Sequence, residues 1–216
     1  MKKKKVSMRL QFSEEEKRFP WLSMLLDAFA IIDRGVSAGV KEHEKKFRAR
    51  LACKKGCGGC CRTHSDIPIY PLETVGIYWY TIEKMERPLR DVLRRQLLEH
   101  VKGGACPFQI DESCSIHAVR PVACRQFNVF GTACAEGEDA YFTRRQDVMT
   151  PIEKYTHQAI RVMLPFYGIV DADAQERAVK AGFIHTQVRV LSSCDWKQLA
   201  VRMDEFDRES ESVHAD

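Results

Sequence analysis

Cys53-Lys54-Lys55-Gly56-Cys57-Gly58-Gly59-Cys60-Cys61 sets four thiols in nine residues. The two-residue gap between Cys57 and Cys60 lets one turn aim two thiolates at a single metal, and Gly56, Gly58 and Gly59 permit the backbone angles that such a turn demands. Cys60 and Cys61 are adjacent, and adjacent cysteines rarely chelate one tetrahedral ion without strain. They are therefore read as serving different metals, or different irons of one cluster. The site is then polynuclear, or two sites side by side.

A second group follows at Cys106, Cys114, Cys124 and Cys134. The segment from Cys106 to Cys114 reads as a short β-hairpin with Asp111 to Ser113 at the turn, which brings its flanking thiols close together. Pro121 suits a first helical position. Cys124 is then expected in the first turn of a short helix, where the dipole and Arg120 or Arg125 favour thiolate over thiol. Eight of the nine cysteines lie between Cys53 and Cys134, and Cys194 stands apart. Nothing points to secretion, and in a reducing cytosol such thiols hold metal or do redox chemistry more readily than they form disulfides. Thiolate-only ligation excludes calcium and magnesium and leaves iron–sulfur, zinc or copper(I). Vicinal cysteines without a matched histidine pair tilt the reading toward iron–sulfur.

The rest of the chain is that of an ordinary globular protein. Its 216 residues are 44% hydrophobic and 30% charged, enough to bury a real core. The net charge of +4 gives no global field for nucleic acid. Lys2 to Lys5 are followed by Glu14, Glu15 and Glu16 rather than an apolar signal-peptide core, and the apolar run Trp21 to Ile32 is too short to span a bilayer. The expectation is a cytoplasmic protein with no membrane partner, whose partner is an unidentified protein or redox partner. From Lys41 to Arg62 eight Lys or Arg face two Glu, which reads first as a solvated helical face. Lys54, Lys55, Arg62, Arg120 and Arg125 could also offset the negative charge of a thiolate-bound cluster.

Hydrophobic periodicity predicts helices on both sides of the cysteines. Ser13 reads as an N-cap for a helix carrying Trp21, Met24, Leu25, Phe29 and Ile32, with Gly35 ending it and a second helix over Ser37 to Ala52. Asp66 to Tyr70 reads as extended. Pro71 opens a helix running to Met85, and Pro88 opens another with Leu89, Val92, Leu93, Leu97 and Val101 as its stripe and Gly103 as its stop. Thr150 and Glu153 read as a capping box for a helix ended by Pro165. Asp171 to Ala181 and Trp196 to Phe206 read as two more. The fold expected is mainly α, a helical single domain with an irregular cysteine-rich metal-binding lobe (53–134) and a short β-hairpin within a helical scaffold (10–52 and 140–206).

The order of motifs resembles the YkgJ family of cysteine-cluster proteins: the Cys60-Cys61 pair, Cys106-Pro107-Phe108 before Cys114-Ser115-Ile116, then Arg120-Pro121-Val122-Ala123-Cys124-Arg125. That family is described as zinc- or iron-chelating. The resemblance covers about Cys53 to Cys134 and implies a metal site at Cys57, Cys60, Cys61, Cys106, Cys114, Cys124 and Cys53. Three residues separate Cys53 from Cys57 where many relatives have two, and His117 stands where an aromatic is common. A flagellin lysine N-methylase group carries a similar motif, which adds a methyl-transfer reading. No strand, glycine-rich turn and helix for a Rossmann-type donor site is found.

The candidate ligands are thus Cys53, Cys57, Cys60, Cys61, Cys106, Cys114, Cys124 and Cys134, holding an iron–sulfur cluster or zinc. Cys194 reads as a plain thiol. His64 reads as a turn residue facing solvent or the backbone, and His43, His117, His157 and His185 as structural. Glu73 is read as complementing the dipole of its own helix, with support of the metal site as the second reading. No nucleophile, base and orienting group can be assembled, so no catalytic residue is named. Three roles stay open: an iron–sulfur protein with a redox role, a zinc-organised binding module, and a protein lysine methyltransferase-like enzyme.

Overall fold

The computed structural model describes residues 9–54 and 56–213, without the side chains of Glu211 and Val213; the lysine run at positions 2–5 and Lys55 lie outside the described residues. The chain is mainly helical. In order it forms α1 (Ser13–Arg18), α2 (Pro20–Phe47), α3 (Gly59–Thr63), β1 (Pro68–Ile69), α4 (Pro71–Trp79), α5 (Arg87–Glu99), β2 (Gln109–Ile110) and β3 (Ser113–Cys114). Then follow α6 (Val122–Gln126), α7 (Ala140–Thr143), α8 (Glu153–Met163), α9 (Ala172–Lys180), β4 (Arg189–Val190) and α10 (Trp196–Val213). A π-helical turn, Tyr80–Lys84, extends α4, and short 3₁₀ turns link the later elements.

Helix α2 is the spine. Leu22, Leu25, Leu26, Phe29 and Ile32 are buried along one face, and the helix runs straight through Gly35, which was expected to end it. The reason lies across the interface. A Cβ on Gly35 would sit 2.7 Å from Tyr155 Cβ in α8. Glycine is there so that two helices can approach, and its cost in helix propensity is offset by the packing of α2 on α8. The left-handed Arg48 ends the helix instead. Two expected caps are also absent: Ser13 is the first helical residue behind Phe12, and Ile152, not Thr150, caps α8 without a side-chain bond. Exposed helix starts leave these N–H groups to water. Asp171 does cap α9, accepting from Ala174 N–H at 2.8 Å.

Helices α5 and α10 form the second pair. Leu93 and Leu97 meet Leu199, Ala200 and Met203 in the main core, whereas Val101, counted in the α5 stripe, is 74% exposed because the helix stops at Glu99. Strand β4 pairs antiparallel with β1, Pro68 opposite Val190, and ties the segment after α3 to the C-terminal helices. Among the described residues no helix is long and apolar enough to cross a membrane.

Candidate metal centre

The hairpin arises from local chemistry. β2 and β3 pair with Gln109 opposite Cys114, joined by Asp111 and Glu112 at φ 46° and 61°. Two consecutive left-handed residues define a type I′ turn, whose twist matches antiparallel strands. Ser113, expected in the turn, lies in β3. Three anchors fix the hairpin: Phe108 is fully buried edge-on against Trp196, ring centroids 4.7 Å apart, and Gln96 Nε2 donates to Pro107 O at 2.7 Å and Gln109 O at 2.8 Å.

The glycine-rich segment closes on this hairpin. Cys106 N–H donates to Cys61 O at 2.9 Å, linking the two cysteine groups through the backbone. Gly58 makes the approach possible, since a Cβ there would lie 3.1 Å from Glu112 O and closer still to the Gln109 amide. Gly56 takes a left-handed φ of 79° that an L side chain resists. Farther out, Ala52 N–H donates to Val129 O and Gly131 N–H to Arg50 O, both at 2.8 Å, which brings the chain before Cys53 beside the chain leading to Cys134.

Cys124 stands on α6. That helix begins at Val122 with Pro121 as its N-cap residue rather than its first turn. The fully buried carboxylate of Glu73 accepts N–H bonds from Tyr70 at 2.9 Å and from Val122 at 2.6 Å. Glu73 therefore caps its own helix, as expected, and also holds the start of the helix that carries Cys124. Burial raises its pKa to about 7.

The thiols fall into two overlapping sets. Cys60 and Cys61 interact thiol to thiol, Cys61 interacts likewise with Cys106, and Cys114 and Cys124 feel the charge of this group. Cys53 and Cys134 lie on the other side, coupled to Cys57 and Cys60. Cys106, Cys114 and Cys124 pack on the main core; Cys53 and Cys134 pack on the smaller cluster of Val129, Ala140 and Val148. All eight are free and half-buried. As they stand, no three His, Cys, Asp or Glu side chains among the described residues are gathered about one ion-sized point. Cys194 is elsewhere, its thiol donating to Val190 O at 3.4 Å.

The expectation of a depressed Cys124 pKa is overturned. Burial drives its thiol well above the usual range, and the neighbouring cysteines push the same way. The helix has only five residues, and Arg125 is bound to Asp33 at 2.9 Å, to Ala118 O and Arg120 O, and lies over the Phe29 ring. Arg120 and Arg125 do act on Cys114, lowering its pKa against a larger rise from burial. Cys61 is pushed up to about 12, first by Cys106, and Cys60 is raised first by Cys61. Arg62 is paired with Glu112.

These observations fit a soft cation. Several crowded thiols resist ionising because each new negative charge meets burial and its neighbours, and a multivalent cation reverses both terms. Sulfur donors suit zinc or iron rather than a hard ion.

His64, read from the sequence as a turn residue facing solvent or the backbone, meets side chains instead. It is half-buried, its Nε2 lies 3.1 Å from Asp139 Oδ1, and its ring stands edge-on to Phe127 at 4.4 Å. Its partner comes from far along the chain, so no spacing could reveal it. His43 is structural as expected, stacked on Phe130 at 3.8 Å.

Residues 52–149 match the family model CxxCxxCC, described as a "Putative zinc- or iron-chelating domain", which fits a YkgJ-type cysteine-cluster family. No curated protein and no solved structure matches the chain.

Proposed function

We propose, starting from the match of residues 52–149 to a zinc- or iron-chelating family model, that the chain holds an iron–sulfur cluster through cysteine thiolates and uses it in a redox role. Cys60, Cys61, Cys106, Cys114 and Cys124 would supply the principal ligands, with Cys53, Cys57 and Cys134 on the adjoining side. The observation that carries this reading is the joining of the two cysteine stretches at Cys61, whose carbonyl accepts Cys106 N–H at 2.9 Å, with half-buried cysteines on both sides of that bond. The vicinal pair favours iron–sulfur over a single zinc, because one tetrahedral ion does not readily take adjacent residues. An iron–sulfur cluster would supply one-electron chemistry, and the nearby Arg120 and Arg125 charges would favour the reduced, more negative state.

Anaerobic purification followed by elemental analysis and a visible spectrum tests the proposal. Iron with acid-labile sulfide and an absorption that bleaches on reduction is the expected result. Stoichiometric zinc in a colourless protein would replace the redox role with a zinc-organised binding module. Cys60→Ser should lose most of the metal; wild-type metal content in that variant would remove Cys60 from the ligand set.

A further inference from the structure

One polar group beside the cysteines is left over by the fold. Gln109 Nε2 is buried and has no hydrogen-bond partner among the described residues. A buried N–H without an acceptor is costly, and native structures hold few of them. The main chain of the same residue is satisfied, since Gln109 O accepts from Gln96 Nε2 at 2.8 Å. The idle group is the side-chain donor.

Its neighbours carry sulfur. Gln109 stands directly opposite Cys114 across β2 and β3, and the next rung is closed by Ser115 N–H on Phe108 O at 2.8 Å. Gln109 and Cys114 are therefore a pair without ladder bonds of its own, the arrangement in which opposite side chains share a face and come closest. On its other side the amide lies against Gly58, where a Cβ would collide with Nε2. Gly58 follows Cys57, and its carbonyl accepts from Cys61 N–H at 3.1 Å. The carboxamide thus sits between the hairpin thiol and the glycine-rich turn. The adjacent Glu112 carboxylate is paired with Arg62. A thiol is a weak acceptor, whereas a metal-bound thiolate carries the negative charge that draws an N–H donor. The donor is unmatched while the sulfurs are protonated and matched once they hold metal.

We infer that the Gln109 carboxamide donates a hydrogen bond to a metal-bound cysteine sulfur, that of Cys114 or Cys57, and thereby raises the reduction potential of the centre. The inference rests on the metal reading above and adds to it a residue that binds no metal itself. Hydrogen bonds to cluster sulfurs stabilise the reduced, more negative state.

Two variants test it. Gln109→Met keeps the bulk and removes the donor, and Gln109→Glu puts a carboxylate in the same place. Both are compared with wild type after anaerobic purification, with metal, acid-labile sulfide and melting temperature measured on each sample. In iron-loaded protein held at a fixed potential, the reduced-to-oxidised ratio should fall about three- to tenfold in Gln109→Met, and further in Gln109→Glu. Should the chain hold zinc, the iron–sulfur reading falls and the hydrogen bond is read another way: Gln109→Met should yield zinc to a competing chelator about tenfold more readily. A wild-type potential in the iron protein, or wild-type zinc retention in the zinc protein, would overturn the inference and leave the metal reading intact. A lower melting temperature at unchanged potential would likewise reduce Gln109 to packing. Protein that takes up neither metal on reconstitution would remove both.

Discussion

Glu73 joins two functions in one side chain. It is fully buried, it accepts the N–H of Tyr70 and of Val122, and its carboxyl pKa rises to about 7 because burial outweighs both hydrogen bonds. A carboxyl whose pKa is higher in the folded chain than in the unfolded one favours folding while protonated, and that advantage is lost as pH rises from about 4.5 to about 7. The stability of wild type relative to Glu73→Gln should therefore fall across this window by about 3 kcal/mol, measured by urea unfolding at each pH. A pH-independent difference would show that folding leaves the carboxyl pKa unshifted. Glutamine also has one acceptor where two N–H groups need it, so the variant should lose about 1–3 kcal/mol even at high pH. The sequence placed Glu73 near a helix start, and only the fold revealed its second partner, 49 residues away.

At the scale of elements, close approach explains what local pattern could not. Gly35 looked like a helix stop because glycine usually breaks the pattern, yet it lies inside α2 against Tyr155 of α8. Gly35→Ala should destabilise the protein by about 1–3 kcal/mol, read from the denaturation midpoint, because the gain in helix propensity is smaller than the overpacking against a buried interface. The hairpin behaves oppositely. Asp111 and Glu112 both hold left-handed backbones that Asn-Gly adopts more easily. Replacing the pair by Asn and Gly should raise stability by about 0.5–1 kcal/mol with metal content unchanged, since the Arg62–Glu112 pair it removes is exposed. A drop in metal content would show that the turn carboxylates serve the centre.

For the whole molecule, the two halves of the candidate centre rest on unequal foundations. Cys106, Cys114 and Cys124 back onto the main core, whereas Cys53 and Cys134 rest on a cluster of three buried residues. If thiolates hold metal, its removal should loosen the chain around residues 50–58 and 131–139 first. The α2–α8 and α5–α10 pairs should keep their helicity. Hydrogen exchange before and after chelation would show protection lost in those two segments and retained in the paired helices. Loss of protection throughout would mean that the metal organises the entire fold.

The sequence by itself determined a great deal: a helical fold, a cysteine hairpin with its turn near Asp111, and a family resemblance carried by the order of motifs. These are local properties, written in hydrophobic period, turn chemistry and residue spacing. Tertiary structure alone decided that α2 is one helix, that β1 pairs with β4, that Glu73 reaches Val122, that His64 meets Asp139, and that burial overrides the dipole at Cys124. Each of these depends on which distant groups share a desolvated volume, and neither spacing nor propensity encodes that.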